Sequence, residues 1–282
     1  MNPTPTNANR RRAPFGSLLV VLFSLAFTHA HADILVAPTR ITLEPGERVG
    51  QVTVMNNGNK AVTLRISFVN YHMRADGSFV EAGDPLPGEH FADEFLQYAP
   101  RRIYLEPGEG QVVRVLARPP SGKPAEYRSH LRFQTEPDVQ PGDSARGGGT
   151  QKGMSIQLIP LYGVSIPVIV RTGELSATVS IDGLAVRRGP RAQPTVTFKL
   201  HRTGNRSVYG DVRLYFTPRG GEERLVGETL GLAVYPPLNS RQINVPFNKL
   251  DAATLPPGQL RVEYVTHDDK ARVLAEAERA VP

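Results

Sequence analysis

Short runs rich in Val, Ile, Leu, Thr and Tyr recur along this 282-residue chain and stop at Pro, Gly, Asn or Asp. Several alternate apolar with polar, and helical periodicity is hard to find after residue 33. The sequence therefore predicts an all-β fold. The length suggests two domains, and a linker-like Arg171-Thr172-Gly173 splits the strand series into two halves of ordinary domain size. Strands at this spacing predict an immunoglobulin-like β-sandwich in each half. Packed cores are within reach of a chain that is 40% hydrophobic and 21% charged.

Residues 1–32 read as a cleavable secretory signal. Arg10, Arg11 and Arg12 form a basic start, Phe15 to Phe27 an apolar run, and Ala30-His31-Ala32 a small-x-small cleavage pattern. The apolar run is shorter than the roughly 20 residues a membrane span needs. The sequence thus predicts an exported, periplasmic or secreted protein with domains at 33–170 and 171–282. Residues 1–32 hold three basic and no acidic side chains, leaving 30 Lys and Arg against 27 Asp and Glu. The net charge falls from +6 to +3, which removes most of the case for nucleic-acid binding. The absence of Cys excludes a disulfide scaffold, a thiol nucleophile and a thiolate metal site.

In the first half, Gln51–Met55 alternates cleanly and ends at the turn signal Asn56-Asn57-Gly58-Asn59. Val62–Val69 places Val62, Leu64, Ile66 and Phe68 on one face. Gln111–Ala117 sets Val113, Val115 and Ala117 against Val112, Arg114 and Leu116. Tyr127–Gln134 follows, then a polar, Gly-rich segment from Glu136 to Gly153. Leu-Glu-Pro-Gly occurs twice, at 43–46 and 105–108, each time just before a strand-like run. Pro then Gly suits the two central positions of a type II turn, so these are read as two similar turns of one sandwich.

Met154–Val170 stands apart, with seventeen residues and no charge. Pro160, Gly163 and Pro167 interrupt it, and it is too short for a membrane helix. It reads as one long strand, apolar on both faces for part of its length, so something besides its own core must cover the second face. The second half continues with Leu175–Ile181, Thr195–His201, Val208–Thr217, Leu225–Tyr235, Gln242–Phe247 and Leu260–Val265, with turns at Asn205, Gly220-Gly221 and Pro256-Pro257-Gly258.

Catalytic constellations do not emerge. The sequence holds no G-x-S-x-G elbow, no phosphate-binding Gly loop and no H-E-x-x-H site. Beyond the signal, His72, His90, His130, His201 and His267 are scattered. His72-Met73 pairs two copper-binding side chains, but no second cluster accompanies it. The acidic stretch from Asp76 to Glu94 lacks calcium-loop spacing and reads as a solvated loop. The expectation is a non-enzyme with no cofactor and no metal.

From Ala37 to Val170 the order of features resembles the periplasmic chaperones of the chaperone–usher pilus pathway, in a divergent branch. The matching pieces are Ala37-Pro38-Thr39-Arg40 as first strand, Val52 to Asn59 as strand and turn, Ala99-Pro100-Arg101 through Leu105-Glu106-Pro107-Gly108, and Tyr127 to Phe133. The resemblance implies two immunoglobulin-like domains in a boomerang arrangement. It also implies donor-strand complementation, in which the last first-domain strand fills the gap in an incomplete pilus or fimbrial subunit. The implied partners are those subunits and an outer-membrane usher. Self-association of the client-free protein is left open. The implied donor row is Ile156, Leu158 and Pro160 on strand 154–170, with Ile159 and Leu161 facing the chaperone's own core.

Arg40 matches the family's first-strand Arg, which binds the subunit's C-terminal carboxylate in the interdomain cleft, a role that suits a planar guanidinium. Two positions depart from the pattern. Where the family carries a donor-strand Lys this chain has Ser165, which offers a neutral hydrogen bond. Where the family has an acidic residue for an interdomain salt bridge, this chain has Arg128, so that contact is wired differently. A second reading fits the same sequence: a secreted structural or adhesive two-sandwich module without a client. The discriminating feature is the 154–170 strand, which a chaperone exposes along one apolar row and a structural module buries on both faces.

Overall fold

The structure, a computed structural model, describes residues 34–137, 161–187, 194–249 and 256–282. Its strands form two successive sandwiches. One sheet of the first holds β1 (Ile34–Ala37), β3 (Val49–Asn56), β9 (Gly110–Ala117) and β7 (Leu96–Ala99), in that order. The facing sheet runs β2 (Ile41–Leu43), β11 (Gly163–Thr172), β10 (Ala125–Thr135), β4 (Val62–Val69) and β8 (Arg102–Leu105). Pairing is antiparallel except between β2 and β11, which run parallel. This is the sheet pairing of an immunoglobulin sandwich.

Alternation builds the core. Val52 and Val54 from β3, and Val113, Val115 and Ala117 from β9, face Leu64 and Ile66 from β4 and Leu131 and Phe133 from β10. The chain changes sheets at both edges, and a proline marks each crossing: Pro38 between β1 and β2, Pro100 between β7 and β8. A proline cannot donate to a ladder, so each strand stops where it stands. Arg40 consequently lies in the β1–β2 connection, not within the first strand as its motif suggests. The two Leu-Glu-Pro-Gly turns are alike. Glu47 N–H donates to Glu44 O at 2.9 Å, Glu109 N–H to Glu106 O at 3.0 Å, and Gly46 and Gly108 take φ of 95° and 79°. The type II geometry needs glycine there.

The second sandwich packs the sheet β12 (Ala177–Arg187), β13 (Thr195–Gly204), β16 (Ser240–Pro246) on the sheet β15 (Arg224–Val234), β14 (Val208–Pro218), β17 (Gly258–Thr266), β18 (Val273–Val281). Phe198, Phe216, Phe247 and Tyr264 dominate its core. A small hairpin inserted in the first sandwich, β5 (Tyr71–Met73) with β6 (Phe79–Glu81), was not evident in the sequence. Neither was β18, whose Leu, Ala, Glu and Arg favour helix but pair along β17.

The long apolar segment divides in a way its composition hides. Within the described residues its strand begins at Gly163. Ile166, Val168 and Val170 face the first core, while Ile169 faces the second sandwich and packs with Met73, Ala233 and Tyr235. Leu161, expected to face the core, lies ahead of the strand and is 51% exposed. Ile156, Leu158, Ile159 and Pro160 lie outside the described residues. Apolarity on both faces of Ile166–Val170 thus has two separate causes, a core on one side and a neighbouring sandwich on the other.

Candidate functional site

The site starts from the polar face of β10. Tyr127, Leu131 and Phe133 turn toward the first core, so Glu126, Arg128 and His130 share the opposite face and are buried against other elements. Glu126 accepts from Arg171 Nε at 2.9 Å and from Ser207 N–H at 3.0 Å. Arg171 also reaches Glu44 in the first Leu-Glu-Pro-Gly turn. This is one polar tie between the sandwiches among the described residues, made through Ser207, with Glu126 and Glu44 as its acidic members. Position 128 instead carries an Arg that pairs with Glu89 at 2.8 Å, donates to Tyr71 O at 2.8 Å and lies 4.2 Å from the centroid of the Tyr235 ring. Burial holds its pKa below the usual guanidinium value. Its guanidinium faces a ring that belongs to the second sandwich. The period-2 spacing of Glu126, Arg128 and His130 in a strand was the available signal for all three.

Beside that face lies an open cavity of about 440 Å³ whose lining includes Arg40, Ser165, His130, Tyr71, Phe79, Tyr209 and Tyr235. Arg40 and Ser165 are therefore brought together. Arg40 Nη1 donates to Tyr235 Oη at 2.7 Å, its Nε to Thr42 Oγ1 at 3.3 Å, and its guanidinium carbon lies 4.4 Å from the Tyr209 ring centroid. Among the described residues no carboxylate pairs with it. Ser165 Oγ is 3.5 Å from Tyr71 Oη. His130 is 5% exposed; burial, reinforced by Arg128 and Arg40, pushes its pKa from 6.5 down to about 3, so the ring is neutral. Its Nδ1 has no hydrogen-bond partner among the described residues. Tyr209, Tyr235 and His130 were not singled out from sequence.

The remaining candidates disperse. His72 Nδ1 sits 2.6 Å from Glu89 Oε2, and Met73 is buried in the interface cluster. Asp76 closes its own turn onto Ser78 at 2.6 and 2.8 Å. No group of three metal-ligating side chains occurs among the described residues.

An unpaired strand edge completes the site. β10 pairs with β11 from Gly163 to Thr172, but on the other side β2 pairs only with Val168–Val170. Among the described residues nothing pairs with Gly163–Pro167 on that side. Leu161 and Tyr162, just ahead of this edge, are 51% and 66% exposed, and Val164 within it is exposed too. Ser165 and Pro167 belong both to the edge and to the cavity lining.

No family model and no curated protein matches this chain. Among solved structures, that of the YadV chaperone aligns at 11% identity and a TM-score of 0.45, covering 89% of this chain and 100% of the other. The E. coli chaperone DraB aligns at 13% identity and a TM-score of 0.41, covering 88% and 96%. The periplasmic chaperone SfaE aligns at 12% identity and a TM-score of 0.41, covering 88% and 100%. No helix among the described residues is long and apolar enough to cross a membrane.

Proposed function

We propose that this protein is an exported chaperone that captures incomplete β-sandwich subunits of a pilus or surface fibre by lending them the open edge of β11, and hands them to an outer-membrane usher. The observation that carries the reading is the edge at Gly163–Pro167, which pairs with nothing on one side among the described residues, carries exposed Val164 and follows exposed Leu161 and Tyr162. An exposed apolar edge strand is a template for another chain, which folded proteins normally blunt. Added to a sheet that lacks a strand, it offers a backbone ladder for register and apolar side chains for the vacant core positions. Each large donor side chain contributes about 1.5–3 kcal/mol on burial. The edge ends where Pro167 lacks an N–H and β2 takes over, so the client strand is held along Gly163–Ser165; Ile156, Leu158 and Pro160, the donor row that the family resemblance implies, lie outside the described residues. Next to that end, Arg40 meets the client's terminal carboxylate, with Ser165 adding a neutral hydrogen bond in place of a second cation. None of these steps needs catalysis or a cofactor. The alternative of a client-free structural module requires both faces of the strand to be covered; that holds for Ile166 and Val168–Val170 but not for Leu161–Ser165.

The test is co-purification of the tagged chain from its native periplasm, read by intact mass. A stoichiometric, β-rich exported partner is expected, and it is expected to disappear when Leu161→Asp and Val164→Asp are combined in a protein that still folds. A folded double variant that keeps its partner, or a wild-type protein that emerges alone as a monomer, overturns the reading.

A further inference from the structure

The cavity beside Arg40 is walled by rings. Tyr71 and Phe79 on the β5–β6 hairpin stand edge to face at 6.1 Å, and His130 meets them at 4.9 and 5.5 Å. Tyr235 closes the wall from the second sandwich, 6.3 Å from Phe79. Phe79 remains 44% exposed inside this cluster. Apolar surface left open beside convergent polar groups is the usual sign of a ligand. Among the described residues Arg40 is the one charged side chain in the lining, since His130 is held neutral by burial. The imidazole is nine-tenths buried and its Nδ1 is sealed from solvent without a partner among the described residues, so His130 adds ring surface to the wall and no charge. At about 440 Å³ the cavity falls at the small end of the ~300–1,000 Å³ usual for ligand sites.

We infer that this cavity reads the last residue of the captured segment and selects an aromatic or large aliphatic side chain there. The inference rests on the proposed capture of a client whose terminal carboxylate meets Arg40. With the carboxylate on the guanidinium, the attached side chain falls among Tyr71, Phe79 and Tyr235, where ring edges and faces reward an apolar group. A terminal Glu or Lys would bring a second charge among the rings without a counter-ion. A terminal Gly would leave the rings wet.

The experiment measures binding of fluorescent five-residue peptides to the full chain after export. The peptides are alike except for a last residue of Phe, Leu, Gly or Glu, each as free acid, with a Phe amide as control. Phe and Leu are expected to bind roughly tenfold tighter than Gly and Glu, and amidation to cost roughly tenfold. Phe79→Ala, a largely surface change, should erase the preference for Phe over Gly while keeping the dependence on a free carboxylate. Arg40→Gln should do the reverse. Equal affinity for all four ends, or no binding of any peptide up to millimolar concentration, overturns the inference. Client capture that needs Leu161 and Val164 but ignores the client's last residue removes this inference and keeps the chaperone. Capture indifferent to Leu161 and Val164 removes the chaperone reading, whichever peptide binds.

Discussion

At the scale of single residues, His130 couples this molecule to pH. Its ring lies among Tyr71 and Phe79 with Arg128 on the same strand face, and burial, with the charges of Arg128 and Arg40, holds its pKa near 3 instead of 6.5. The unfolded chain protonates this histidine as pH falls below about 6.5, while the folded chain does not. Between those values the unfolded state carries the extra proton, so folding stability is complete above pH 6.5 and is lost as pH falls toward 3. One proton of difference is worth about 1.4 kcal/mol per pH unit inside that window. Urea unfolding of the wild type and of His130→Gln, followed from pH 7 to pH 4.5, should therefore diverge, with the wild type losing stability faster on acidification. Parallel curves would show that the histidine protonates in place.

At the scale of elements, β10 separates two kinds of ion pair. Glu126 and Arg171 are both buried, and Glu126 also accepts from Ser207 of the neighbouring sandwich. Arg102 and Glu136 pair on the surface, with Arg102 largely exposed. Glu126→Ala leaves Arg171 with only the half-exposed Glu44 and takes the acceptor from Ser207 N–H, and should cost about 1.5–3 kcal/mol. Arg102→Ala should cost under about 1 kcal/mol. Chemical denaturation of both variants decides, and similar losses would mean that the Glu126 pair is hydrated in solution. The same elements show how far the sequence could be read. β3, β4 and β9 were legible because one face meets a core and the other is more open to water, so alternation reports burial directly. β18 was not, because Leu, Ala and Glu carry a helical preference that only pairing along β17 overrides. The hairpin β5–β6 has strands of three residues, too short for any period. The inward orientation expected of Leu161 failed because Val168 and Ile169 are apolar toward different partners, which leaves composition unable to set the strand's parity. Arg40 and Ser165 could be found by their place in a motif, whereas Tyr209 and Tyr235 reach the cavity from more than 40 residues along the chain and carry no local signal.

At the scale of the whole molecule, several ties join the sandwiches among the described residues. Ile169 and Met73 pack with Ala233 and Tyr235. Glu126, Arg171 and Ser207 form a polar tie. The hairpin turn adds another: Gln242 N–H donates to Ala75 O at 2.7 Å, and Gly77 takes a φ of 86° with the Arg241 guanidinium lying where a Cβ would stand. Tyr235 serves more of these contacts than any other side chain discussed, since it receives the Arg40 hydrogen bond, faces the Arg128 guanidinium and belongs to the apolar cluster. The cavity exists because both sandwiches wall it: Arg40, Tyr71, Phe79 and His130 come from one, Tyr209 and Tyr235 from the other. The proposed capture, which holds a strand edge and a carboxylate site in fixed register, needs that joint to be stiff, where a modest polar interface would let two domains move independently. The wild type should accordingly unfold in one calorimetric transition, although two sandwiches with separate cores could unfold in two. Tyr235→Ala touches neither main core and should split the melt into two steps, with hydrogen exchange rising first in β11, β5 and β6. A single transition retained in a folded Tyr235→Ala protein would place the coupling in the Glu126–Arg171 tie instead, and the cavity would then lose a wall without losing its register with the open edge of β11.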